Sequence, residues 1–233
     1  MYKHTAELNA KAVECLTEGT YDDAAKMLKQ ALAKLQTSFG AASTRIRNYD
    51  KGTATNVSLV SVPVLTPEQA EEITHEQGSL FSLFPKAFQF EYSSNDHDEE
   101  EDLVFSHLLV VLIFNLALAT HLKSIQEKTL TQKRLMQILN LYQNGLHLAE
   151  TFFSIEDRLS MLSVQLALVN NQGFVFSQGH WFAETRERLA SLIELLELAA
   201  CETTQVSMDD YQILFGSICV FLEGNDLCLA PAA

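Results

Sequence analysis

Proline and glycine are scarce in this chain: four and nine among 233 residues. So few punctuating residues argue against many short strands joined by tight turns and favour long helices. Cations are also few. Sixteen Lys/Arg stand against 30 Asp/Glu, for a formal charge of −14, so the chain is a poor general binder of phosphate backbones and nucleic acid is not an expected partner. No Lys or Arg follows Arg188, whereas Glu194, Glu197, Glu202, Asp209, Asp210, Glu223 and Asp226 do. Residues 1–51 hold the opposite balance, eight cations against six acids, which leaves −16 on the remainder.

Catalytic signatures are missing as well: no G-x-S-x-G, phosphate-binding loop, G-x-G-x-x-G or H-E-x-x-H is present. The seven histidines are dispersed. His107 and His121 stand fourteen residues apart on one predicted helix, about 21 Å at the helical rise, too far to share a metal. Cys15 would need a histidine folded beside it to act as a nucleophile. No enzymatic activity, cofactor or metal is expected. The four cysteines, Cys15, Cys201, Cys219 and Cys228, form no C-x-x-C pair and sit in apolar or helical context. They are read as buried thiols in a reducing compartment, cytoplasm or nucleus. The N-terminus is polar and helix-forming, without the apolar stretch of a secretory signal or the acid-poor character of a transit peptide.

Among what is present, residues 103–122 carry no formal charge and are long enough to span a bilayer. Ser106, His107, Asn115, Thr120 and His121 interrupt them, so the expectation is a central helix over 103–124, buried on nearly all sides, and a membrane partner is not expected. Further helices are expected at 5–19, 22–36, 131–152, 155–178, 181–201 and 207–223. Gly19 supplies the first hairpin turn, and Ala24, Leu28, Ala31, Leu32 and Leu35 lie on one helical face. Ser154 with Asp157, and Ser207 with Asp209 and Asp210, read as N-caps. Gly224 is expected to end the last helix, leaving 224–233 as a tail.

Residues 38–102 read as an insertion. Ser38–Val57 is loop-like in composition. Residues 57–64 and 87–92 alternate polar and apolar side chains and predict a two-stranded ribbon. Thr66-Pro67-Glu68-Gln69 predicts a capped short helix to about Glu76, ended near Gly78. The acidic run Asp96–Asp102 lacks the spacing and central glycine of a calcium loop and reads as solvated chain. Arg45, Arg47 and Lys51 are read as solvated or paired with acids, and Trp181 with Phe176 and Phe182 as packing around the Gly179 turn.

Three segments resemble one another: 8–35, 114–122 with 139–150, and 169–197. Each places a small residue, Ala12, Ala117 or Gly173, in its first helix, where a close helix crossing would exclude larger side chains. With Gly19, Tyr21, Ala24, Ala31 and Leu32 in the first copy, Asn115, Leu116, Tyr142 and Leu146 in the second, and Asn171, Phe182 and Leu189 in the third, the pattern resembles the tetratricopeptide repeat. Ile138, Thr185 and Leu192 depart from it, and the spacings of 105 and 56 between the small residues are far from its period of 34. The resemblance implies a mainly α fold over residues 1–233: antiparallel helical hairpins stacked as a TPR-like array, with the inserted loop and β-ribbon. It also implies a concave face that binds a peptide or helix. By that pattern the face is lined by Asn9, Val13, Leu16, Val111, Phe114, Leu118, His121, Asn170, Phe174 and Gln178. No Lys or Arg stands among these, so a carboxylate clamp is not expected and an apolar or amphipathic helix, or a basic segment, of a protein partner is. Two readings stay open. One is an interaction scaffold with a vacant groove. The other is a structural subunit of a larger assembly, peripheral to a membrane or not, whose insertion or last helix fills that groove.

Overall fold

The computed structural model describes residues 2–42, 58–91, 101–153, 161–201 and 206–228. The protein is mainly α, with a small two-stranded antiparallel sheet. In chain order its elements are α1 (Tyr2–Thr17), α2 (Tyr21–Ala42), β1 (Ser58–Pro63), α3 (Pro67–Glu76), β2 (Lys86–Glu91), α4 (Glu101–Gln126), α5 (Gln132–Phe152), α6 (Leu162–Gln178), α7 (Phe182–Cys201) and α8 (Met208–Cys228). They fall into two compact units, one of Met1–Val64 with Lys86–Gln126, the other of Leu65–Pro85 with Glu127–Ala233. The 38–102 insertion is thus divided between the two.

In the first unit, α1 and α2 form a hairpin. Gly19 takes φ +74°, and the amides of Gly19 and Thr20 close the end of α1 on the carbonyls of Leu16 and Cys15 at 3.1 and 2.9 Å. The positive φ is open to glycine at little cost. Ala24, Leu28, Ala31 and Leu35 turn inward along α2 and are fully buried, as are Ala12 and Leu16 of α1. Helix α4 packs on α1 and α2. The apolar stretch of α4, Val104–Gln126, is long and hydrophobic enough to cross a membrane by composition, but 72% of its 18-residue apolar window is buried inside the protein. At its end Lys123 donates to the Asp22 carboxylate at the start of α2, which holds that carboxyl below its usual range. The ribbon pairs Ser58 with Glu91 through to Pro63 with Lys86, and β2 lies against α1 and α4.

In the second unit, α6 packs between α5 and α7, and α8 touches α6 and α7. The short helix α3 has the capping box read from sequence: Gln69 N–H donates to Thr66 Oγ1, the Gln69 side chain accepts from Thr66 N–H, and Pro67 opens the helix. Gly78, at φ +59°, turns the chain out of it.

Several expectations change. Helix α2 runs to Ala42, through residues read as loop, and α8 runs past Gly224 to Cys228. A glycine inside a helix costs only about 1 kcal/mol relative to alanine, so Gly40 and Gly224 do not by themselves stop one. Among the described residues the thiols are not buried: Cys201 and Cys219 are exposed and Cys15 is half-buried. Gly173 does sit at a tight approach, but its neighbour is the Phe81 ring, which a Cβ would meet at 2.4 Å, and not a crossing helix. Trp181 meets Phe176 edge-on at 6.0 Å and covers Gly179, while Phe182 is 55% exposed. Residues 43–57, 96–100 and 154–160, with the basic patch, most of the acidic run and the Ser154 cap, lie outside the described residues.

Candidate functional site

Each unit contains a place where helix-borne amides grip a length of main chain outside the helices. A primary carboxamide carries a donor and an acceptor side by side, as a peptide group does, so it can pair with a strand as another strand would.

In the first unit the gripped residue is Phe88, in the middle of β2. Its N–H donates to Asn115 Oδ1 at 3.0 Å. Its carbonyl accepts from Asn115 Nδ2 at 2.8 Å and from Asn9 Nδ2 at 2.9 Å. Asn115 Nδ2 also donates to Asn9 Oδ1 at 2.8 Å, which ties α4 to α1. Both asparagines are fully buried. The Phe88 ring stands edge-on to Phe114 at 5.2 Å.

In the second unit three alternate residues of the chain leading out of α3 are held. Leu80 N–H donates to Ser177 Oγ at 2.7 Å. The Ser82 carbonyl accepts from Asn170 Nδ2 at 2.8 Å, and Ser82 N–H donates to Ser217 Oγ at 3.1 Å. That hydroxyl in turn donates to Asn170 Oδ1 at 2.6 Å. Phe84 N–H donates to Asn171 Oδ1 at 2.9 Å and its carbonyl accepts from Asn171 Nδ2 at 3.3 Å. Asn171 Nδ2 also reaches the Tyr142 hydroxyl at 3.3 Å. Tyr142 is fully buried, and burial pushes its phenol far above the usual tyrosine range, against the hydrogen bond from Asn171. Asn170, Gly173 and Ser177 follow one another at helical spacing on α6, so one face meets residues 80–82. Gly173 leaves room there for the Phe81 ring.

Of the ten residues assigned to a concave face, nine are buried: Asn9, Val13, Leu16, Val111, Phe114, Leu118, His121, Asn170 and Phe174. The first seven belong to the first unit and the last two to the second. Gln178 is partly exposed, and its amide nitrogen donates to Gln77 Oε1 at 3.4 Å. The surface expected to receive a partner is therefore covered, and Asn9 and Asn170 already grip this protein's own chain. Sequence reasoning omitted Asn115, Asn171, Ser177, Ser217 and Tyr142 from the site. A signal for two of them was present: Asn115 and Asn171 stand within strongly apolar helices, where a buried amide must find partners. Among the described residues, no group of three His, Cys, Asp or Glu is placed to hold a metal. The groups that hold the segment are neutral amides and hydroxyls, suited to holding main chain and side chains in place.

Compared with protein-family models, curated proteins and solved structures, the chain matches none.

Proposed function

We propose that this protein is a non-enzymatic interaction subunit built of TPR-like helical hairpins, whose peptide-holding amides are engaged by its own residues 80–88, so that partners meet its outer surface. The observation that carries this reading is the double grip on main chain, Asn115 with Asn9 on Phe88 and Asn171 on Phe84. A competing peptide would have to displace a segment that is covalently attached. Such attachment gives the segment an effective local concentration on the order of millimolar or more. Displacement would also expose Phe81, Leu83, Phe84 and Phe88, each of them at most 1% exposed in the fold. At about 1.5–3 kcal/mol for each side chain, that loss is comparable with the whole stability of an ordinary domain, about 5–15 kcal/mol. The segment therefore acts as core and not as a removable lid.

Hydrogen exchange under native conditions tests this. The amides of Phe84 and Phe88 should exchange only through unfolding of the unit that holds each, with the same free energy as the most protected amides of its helices. Opening several kcal/mol below that value would mean the segment leaves the groove, and would restore the reading of a groove open to partners.

A further inference from the structure

Helix α8 is apolar on two opposite faces, and among the described residues one of them is buried and the other exposed. Leu214, Ser217 and Phe221 point inward. Ser217 holds Ser82 and Asn170, and Phe221 stands edge-on to Phe81 at 6.3 Å. On the other side Met208, Phe215 and Leu222 are 70%, 49% and 58% exposed. They stand seven residues apart, with the Tyr211 ring stacked on Phe215 at 6.3 Å and Cys219 exposed between them. A helix that carries apolar residues all round is ordinarily covered all round. The seven-residue repeat, with Tyr211 in the intermediate position, is the seam by which one helix receives another.

Charge selects the occupant. No cation follows Arg188 in the sequence, and seven acids do. Asp209 is exposed in the first turn of α8, and Glu194 and Glu197 are exposed on α7, which packs against it. A second copy of this chain would bring the same acids face to face, and an anionic lipid surface would be repelled. A helix with Lys or Arg flanking an apolar stripe would be attracted and placed in register.

We propose that the Met208–Tyr211–Phe215–Leu222 face of α8 docks a basic amphipathic helix of a partner protein. This rests on the reading that partners meet the outer surface.

The test uses the full chain and a fluorescent 21-residue peptide with leucine at the first and fourth positions of each heptad and lysine elsewhere. Two controls accompany it: the same composition scrambled, and the same pattern with glutamate for lysine. Anisotropy titration at physiological salt should show the ordered lysine peptide binding. The Phe215→Ser/Leu222→Ser variant, whose net charge is unchanged, should bind it at least about tenfold more weakly. Both substituted side chains are exposed, and an unchanged thermal transition confirms that the variant folds. Independently of any variant, bound peptide should protect Cys219 but not Cys201 from maleimide. Equal binding by the scrambled peptide or by the double variant, or no protection of Cys219, would overturn the proposal. So would self-association of the wild type that the double variant abolishes, which identifies a second copy, or flotation with phosphatidylcholine vesicles that the variant abolishes, which identifies a membrane. The exchange rates of Phe84 and Phe88 are read without peptide. Slow exchange with failed peptide binding removes only the α8 site, whereas fast exchange removes the filled-groove reading and leaves the α8 test standing.

Discussion

Asn115 joins three groups in the first unit's buried polar interior. It accepts from Phe88 N–H and donates to the Phe88 carbonyl and to Asn9. Replacement by leucine keeps the volume but strands a buried N–H and removes a partner from Asn9, each at about 1–3 kcal/mol. Asn115→Leu should therefore destabilise by about 2–4 kcal/mol in urea unfolding, and a cost below about 1 kcal/mol would mean the grip is not formed. Two helical glycines give an opposed pair. A Cβ at Gly173 would meet the Phe81 ring at 2.4 Å, while a Cβ at Gly216 meets nothing within 4 Å. Gly173→Ala should cost about 1–3 kcal/mol through overpacking. Gly216→Ala should add about 0.5–1 kcal/mol through helix propensity. Thermal melts of the two should move in opposite directions, and a shared direction would show that Phe81 does not occupy that space.

At the level of elements, the short helix α3 depends on its ends more than on its length, since ten residues are too few to be stable alone. Thr66→Ala removes the acceptor for Gln69 N–H and should cost about 1 kcal/mol. The expected sign is faster amide exchange in α3 and in the Ser79–Leu83 stretch that follows it, because Thr74 closes the turn between them. Unaltered exchange there would show the cap to be unimportant. The ribbon has the same dependence on neighbours. Two strands are marginal in water, and β2 is held because α1 and α4 supply, through Asn9 and Asn115, the pairing that a third strand would give.

Over the molecule as a whole, each unit builds its core around chain that comes from outside its helical hairpins, and in each the joint is polar. That arrangement gives a pH signature in the second unit. The Tyr142 phenol is held neutral by burial, whereas an unfolded tyrosine ionises near pH 10. Above that pH the unfolded chain releases a proton that the folded one retains, so this group leaves stability unchanged below about pH 10 and lowers it as pH rises further. Tyr142→Phe should flatten the alkaline limb of the stability curve while costing about 1 kcal/mol at neutral pH for the lost hydrogen bond with Asn171. An identical alkaline limb in the variant would show that Tyr142 is not the buried titrating group.

Features that rest on near neighbours in the chain were legible in the amino-acid order alone. Helix periodicity, the Gly19 turn, the Thr66 capping box and the alternation that made β1 and β2 depend on residues a few positions apart, and all of them are formed. The apolar stretch of α4 is a mostly buried helix for the same reason, its polar interruptions marking contacts with protein. Which residues close on which is settled by long-range packing. Asn9 and Phe88 are 79 positions apart, and Phe84 and Asn171 are 87 apart. No local pattern states that an asparagine faces main chain and not a partner. The same holds for Met208, Phe215 and Leu222, whose spacing is written in the sequence but whose exposure follows from which side of α8 Ser217 and Phe221 turn inward. Burial depends on what else is folded against a face, and that is not a local property of the chain.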